Sequence, residues 1–169
     1  MEVQEMYEEL EPEIIYNKYL TKYKEQFDNN SMTVHQLITM ASLAELEGKK
    51  IEDRKEIIGV FYNRLVTKMS LGSDVTTYYA FKVDMGDRDL TVKELNSDNP
   101  YNTRGPNMAG KIPVGPICNP SKDAIDATIN YTPTDAFYFV ADKNGDVYFT
   151  KNNTEHEKII KQLVWFEWR

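Results

Sequence analysis

Apolar residues recur at spacings of three and four through Met6, Leu10, Ile14, Ile15, Tyr19, Leu20, Tyr23 and Phe27. That is one helical stripe over 5–27, with Pro12 its single interruption. It predicts a packing helix within an N-terminal segment, 1–30, that leads into a larger domain over 31–169. A second helix is predicted from Thr33, where Thr33 and Gln36 form a capping box, and it stops before Gly48. A third covers about 53–68, with Glu52, Asp53 and Glu56 early and Arg64 and Lys68 late, as the helix dipole favours. Its inward stripe is Ile57, Ile58, Phe61 and Leu65. Asp74 then caps a short helix or turn from Val75.

Periodicity disappears from Met85 to Pro120, where Gly86, Pro100, Gly105, Pro106, Gly110, Pro113, Gly115 and Pro116 punctuate the chain. Only Thr91 and Glu94 suggest a brief capped helix there. A loop region this long in a compact domain is more often functional than idle. Tyr101, Asn102, Thr103, Asn107 and Asn119 give it an aromatic and amide character that suits sugars. A short helix follows at 121–130. The runs Ala136–Ala141 and Asp146–Thr150 flank Asn144-Gly145, a strong hairpin signal. Both faces of the first run are apolar, which predicts a strand inside a sheet rather than at its edge. Thr154 and Glu157 cap a last helix carrying Ile159, Ile160, Leu163 and Phe166, with Trp165 and Trp168 as packing residues. The expected class is α+β: helices around a small, mostly antiparallel sheet, with the irregular region lining a cleft.

Composition narrows the chemistry. The 169 residues are 41% hydrophobic and carry a net charge of −7. Eight acids stand against three lysines in residues 1–28, and the remainder is nearly balanced. No Lys/Arg stripe is present to displace counterions from nucleic acid, and no polybasic patch to meet anionic lipid. No apolar run is long enough to span a bilayer. One cysteine, Cys118, excludes an internal disulfide and a cysteine zinc site, and His35 and His156 are far apart in sequence. No metal or cofactor is expected. Cys118 with His156 could be drawn as a thiol dyad, but a lone cysteine in a Pro-rich loop reads better as a packed small residue. Asp142, Asn144 and Asp146 resemble a calcium loop only faintly, because the downstream Glu is missing.

The informative segment is Ile38–Gly48. It is apolar on nearly every side, so it should be buried, yet it carries Glu45 and Glu47. At about 100° per residue these two acids point about 200° apart, so one cleft can hardly use both. Glu47 stacks over Leu43 and Ala44 in the last helical turn. Apolar neighbours and the negative end of the dipole both disfavour its carboxylate, which should raise its pKa. An acid that keeps its proton near neutrality suits glycosidic-bond cleavage. An ordinary solvated acid near a helix end has the same sequence signature, and the pattern admits both. Asp74 is either a cap or a second carboxylate.

Ala41-Ser42-Leu43-Ala44-Glu45-Leu46-Glu47 resembles the Ala-Ser-Ile-Val-Glu-Lys-Glu signature of the YceG-like, or MltG, endolytic murein transglycosylases. Further segments follow in that family's order: Val60–Leu65, Met69–Thr76, Pro100–Thr103, Ile112–Pro120, Phe137–Ala141 and Glu155-His156. The resemblance covers roughly 10–160. Leu46, Gly48, Val75, Arg104 and Val114 depart from the pattern, and none removes a carboxylate.

What the resemblance implies is a lytic transglycosylase. It would cleave the β-1,4 bond between N-acetylmuramic acid and N-acetylglucosamine in peptidoglycan and leave 1,6-anhydro ends. One glutamate would serve as acid and then as base. Carried over, the catalytic residue is Glu47, with Glu45 as fallback, and Asp74, Thr76, Tyr101, Asn102 and Asn119 are expected to shape the site or hold glycan. The implied setting is the extracytoplasmic face of a bacterial membrane, with an anchoring helix outside these residues and penicillin-binding synthases as partners. A non-catalytic glycan-binding or scaffold domain of the cell-wall machinery is the alternative.

Overall fold

The structure is a computed structural model that describes residues 32–167, with side chains to 163. The predicted 5–27 helix, the 1–30 segment and the packing roles of Phe166, Trp165 and Trp168 lie outside what it describes. The chain divides after Val34, and the elements below belong, but for the opening residue of the first, to the second unit, His35–Arg169. In order they are α1 (Val34–Glu47), α2 (Ile51–Val66), α3 (Asp74–Phe81), α4 (Val92–Leu95), α5 (Lys122–Ile129), β1 (Tyr138–Ala141), β2 (Val147–Thr150) and α6 (Asn153–Glu167). The class is α+β, as the pattern predicts.

Helix α1 is the centre of the core. Leu37, Thr39, Met40, Ala41, Ser42, Leu43 and Ala44 are all buried, so the helix is enclosed rather than amphipathic. Helix α2 buries Ile57, Ile58, Gly59, Val60 and Phe61, while the expected Leu65 stays half-exposed. It starts two residues earlier than predicted, which places Glu52 and Asp53 in the first turn. A Cβ at Gly59 would lie 2.3 Å from the Thr132 carbonyl oxygen, so only glycine lets α2 meet that segment. Farther along, Asn63 donates to the carbonyls of Thr134 and Ala136 (2.8 and 2.9 Å), and Arg64 Nε donates to that of Phe137 (2.6 Å). These bonds lay the chain along α2 up to the start of β1.

The sheet differs from expectation. Among the described residues it has two strands, with Tyr138 opposite Thr150 and Ala141 opposite Val147. The apolar faces of β1 are covered by helices instead of further strands. Phe139 meets Phe61 of α2 edge-on at 5.8 Å, and Tyr138 packs on His156 of α6 at 5.3 Å. The hairpin loop is longer than a two-residue turn. Gly145 takes φ +87°, and Asp142 accepts the N–H groups of Asn144 and Asp146 at 2.9 and 3.0 Å. The faint calcium motif is therefore a carboxylate wrapped in its own loop's donors.

Other caps also differ. Ser73, not Asp74, precedes α3. Helix α6 begins at Asn153, where Asn152, rather than Thr154, accepts the N–H of Glu155 (2.9 Å). The predicted box of Thr91 and Glu94 forms as expected on α4.

Most of the irregular region turns on one amide. Asn102 is 0% exposed. Its Oδ1 accepts from the Thr77 hydroxyl (2.7 Å) and the Arg104 N–H (3.2 Å), and its Nδ2 reaches the carbonyls of Glu94, Leu95 and Ser97. Thr77 is on α3 and Glu94 and Leu95 are on α4, so the side chain ties both helices to the loop. Asn102→Ala should lower unfolding free energy by about 2–4 kcal/mol, because it leaves several buried groups unpaired. Asn119→Ala, at an exposed position, should stay within about 0.5 kcal/mol. Urea unfolding of the two variants checks the contrast.

Candidate active site

Glu47 is the last residue of α1. Behind it, Arg54 of α2 donates from Nε to the carbonyl of Gly48, the residue after the helix, at 2.8 Å. The same guanidinium pairs with Glu45 Oε1 at 2.8 Å, and Glu45 Oε2 accepts the Ser121 N–H at 2.9 Å and its hydroxyl at 2.5 Å. Ser121 is the N-cap of α5. Glu45 is thus a structural tie between three helices. Burial pushes its pKa up, but the Ser121 donors and Arg54 outweigh that and hold it below its ordinary value.

Glu47 points the other way, as two positions along a helix require. It lines a cavity of about 740 Å³ with Arg64, Ser70, Asp74, Arg104, Tyr138 and His156 among the other walls. Its Oε1 accepts a 2.5 Å hydrogen bond from the Ser73 hydroxyl. Burial is the main cause that raises its pKa above the ordinary carboxylate value. The Asp74 charge adds to it, while the Ser73 bond and the charges of Arg104 and Arg64 pull down without prevailing. Dehydration by the surrounding fold does most of the work.

The wall beside Glu47 is the stretch Met69–Asp74. Ser70 donates its hydroxyl to the Thr103 carbonyl, and Ser73 N–H donates to Thr103 Oγ1 at 2.9 Å. Thr76 Oγ1 donates to the Ser73 carbonyl at 2.7 Å and lies 2.8 Å from Thr103 Oγ1. Arg64 Nη1 donates to the Leu71 carbonyl at 2.5 Å. Asp74 opens α3 and forms an ion pair with Arg104. Across the cavity, α6 contributes His156, whose Nδ1 has no hydrogen-bond partner among the described residues. Burial, and then the Arg64 charge, lower its pKa.

The expected site residues therefore separate. Glu47 and Asp74 share the cavity. Thr76 and Asn102 are fully buried, and their polar atoms are engaged in holding the wall, so they do not face the cavity. Tyr101 lines a second cleft of about 640 Å³ with Leu46, Tyr78, Tyr79 and Met85, and its ring lies 4.9 Å from that of Tyr79. Asn119 is exposed and lines neither cavity. Cys118 donates its thiol to the Ser42 carbonyl, a packed residue. Sequence reasoning missed Ser73, Arg64, Arg104, Tyr138 and His156. Ser73 offered one signal, as a favoured N-cap residue directly before Asp74.

Over residues 2–162 the chain matches the model of the YceG-like family, and it belongs to that family. It is 44% identical over 148 residues to the endolytic murein transglycosylase of Bacillus subtilis strain 168, covering 88% of this chain and 40% of that protein. It is 40% identical over 153 residues to the endolytic murein transglycosylase of Streptococcus pneumoniae serotype 2 strain D39 / NCTC 7466, covering 88% of this chain and 27% of that protein. The chain thus spans well under half the length of these curated relatives. A crystal structure of a YceG-like protein from Listeria monocytogenes aligns with a TM-score of 0.74 at 38% identity, over 83% of this chain and 44% of that one.

The two acids of α1 should respond oppositely to pH. A native pKa raised above the unfolded value means stability is lost as pH rises through the native pKa. Glu47→Gln removes that loss, so its thermal midpoint should match the native chain near pH 4 and exceed it near pH 8. For Glu45 the native pKa is lowered, and its contribution is present above the unfolded pKa and lost as pH falls. Glu45→Gln should cost about 1–2 kcal/mol at neutral pH, a penalty that shrinks on acidification. Melting curves across that range read both.

Proposed function

We propose that the chain cleaves peptidoglycan glycan strands endolytically, at the β-1,4 bond between N-acetylmuramic acid and N-acetylglucosamine. The observation that carries this reading is Glu47: a carboxyl group in the wall of an open cavity, its pKa raised above the ordinary carboxylate value by burial. The relatives named endolytic murein transglycosylases support the substrate class. The cavity, at about 740 Å³, is of the size that holds a small ligand or part of a chain.

Two steps need only one acid. Glu47 gives its proton to the glycosidic oxygen as the bond from that oxygen to C1 breaks. Positive charge then develops at C1 of the muramic acid. The C6 hydroxyl of the same sugar attacks C1, and its proton passes to the Glu47 carboxylate. The new bond closes a 1,6-anhydro ring, and Glu47 regains its starting form without water entering the balance. Asp74, ion-paired with Arg104, is then a charge that shapes the cavity rather than a base for water. Tyr101 and Tyr79, in the neighbouring cleft, offer ring faces for sugars farther along the strand. The reading entails action where peptidoglycan lies, on the outer side of the cell membrane.

Digestion of purified glycan strands, followed by mass spectrometry of the ends, tests this. The native chain should yield 1,6-anhydro ends, and Glu47→Gln should be slower by about 10²–10⁴-fold. Reducing ends formed with water would instead mark a hydrolase with Asp74 as second carboxylate. Binding without any product would leave a glycan-binding domain.

A further inference from the structure

Ser73 occupies the N-cap position of α3, with the extended backbone such a residue adopts (φ −87°, ψ 117°). Serine is among the best residues there because its oxygen can accept an N–H from the first turn. Here it makes no such bond. The hydroxyl is turned out of the helix and donates to Glu47 Oε1 at 2.5 Å, the short end of the range for a hydroxyl on a carboxyl oxygen. The backbone of Ser73 is meanwhile gripped on both sides, its N–H by Thr103 and its carbonyl by Thr76. With the main chain held, side-chain rotation is the freedom left, and it is used on Glu47. The residue is 3% exposed, so its own hydroxyl is largely shielded from solvent.

We propose that Ser73 is a positioning residue for the acid–base cycle of Glu47, holding Oε1 as the acceptor so that the transferable proton resides on Oε2. The inference rests on the function proposed above and deepens it. An oxygen that accepts a hydrogen bond keeps its carbonyl character, which puts the acid proton on the other oxygen. This sets the direction of the first proton transfer before substrate arrives. Once that proton has left for the glycosidic oxygen, the Ser73 O–H faces a full carboxylate. It then stabilises the anion through the interval before the C6 hydroxyl returns a proton. One hydroxyl thereby serves both halves of the cycle without changing partner. Thr103, tied to Ser73 and Thr76, fixes the hydroxyl's starting point, and that is why the Asn102-Thr103 loop matters to a carboxyl it does not touch.

Other charged groups also face Glu47. Asp74 of α3 disfavours its charge, and Arg64 of α2 and Arg104 of the loop favour it. Tyr138 of β1 and His156 and Glu157 of α6 complete the cavity's polar wall. Among the described residues none of these hydrogen-bonds to the Glu47 carboxyl. The Ser73 contribution is distinct because it is directional, and a hydroxyl is needed to supply it.

The experiment has two arms. In the native chain, the ¹³Cβ shift of Ser73 should titrate with the same midpoint as the Glu47 carboxyl carbon, and that transition should vanish in Glu47→Gln. In Ser73→Ala the Glu47 midpoint should move to higher pH, because a donor favouring the carboxylate is gone. On glycan strands, Ser73→Ala should lower kcat by about 10–100-fold with KM changed less than about threefold. The alkaline limb of its pH–rate profile should also move upward. Ser73→Thr, which keeps the hydroxyl, should restore the native profile. A Ser73 signal flat across the Glu47 midpoint, or a Ser73→Ala pH profile superimposable on the native one, overturns the inference. The titration of the native chain needs neither substrate nor a folded Ser73 variant. Hence a chain that cleaves no glycan but shows the coupled titration refutes the function and keeps the pairing. Cleavage without coupling does the reverse.

Discussion

A half-buried carboxyl group at the end of a buried helix is the constraint around which this domain is arranged. Helix α1 is enclosed on nearly all sides, so a charged residue on it needs either a partner or a proton. The chain meets that demand differently at two positions, two residues apart. Glu45 meets a guanidinium and a helix N-cap and stays ionised, and in doing so it joins α1, α2 and α5. Glu47 meets a single hydroxyl donor, and burial outweighs it. The first arrangement is structural, and the second leaves a carboxyl whose pKa lies above its ordinary value.

Holding Glu47 in that state requires a wall that does not move, yet the wall is made from loop. The stretch Met69–Asp74 has little secondary structure of its own, so its backbone groups must find partners elsewhere. Thr103 supplies those for the Gly72 N–H and for the Ser73 N–H and carbonyl, Arg64 supplies the one at Leu71, and Asn102 anchors the loop from which Thr103 projects. These bonds are long-range in sequence and short in space. The loop between α3 and α5 thus acts through rigidity. Its residues most suited by type to bind sugar, Asn102 and Thr103, are the ones most deeply engaged in holding the site together.

How much of this could be read from the chain alone varied by element. Helices α1, α2 and α5, the α4 capping box and the hairpin were legible because each is dictated by neighbours three or four residues away, or by one turn. The opposition of Glu45 and Glu47 was legible for the same reason, since helical geometry sets the angle between them. The two-stranded extent of the sheet was not, because apolar faces on β1 are equally satisfied by helices α2 and α6 or by more strands. Nor was the Asn152 cap ahead of α6, where Thr154 offered a competing cap two residues on.

The sequence by itself determined that a dry helix would carry two acids on opposing sides, and that one of them lay at its tip. That follows from the 3.6-residue period, which acts within a single element. Only the tertiary structure decided which acid would be neutralised by Arg54 and which would be left with Ser73. It also turned Thr76 and Asn102 inward, away from the cavity where residue type had placed them. The reason is physical: a pKa and a hydrogen-bond partner depend on what packs against a group from distant parts of the chain, and local spacing carries no record of that.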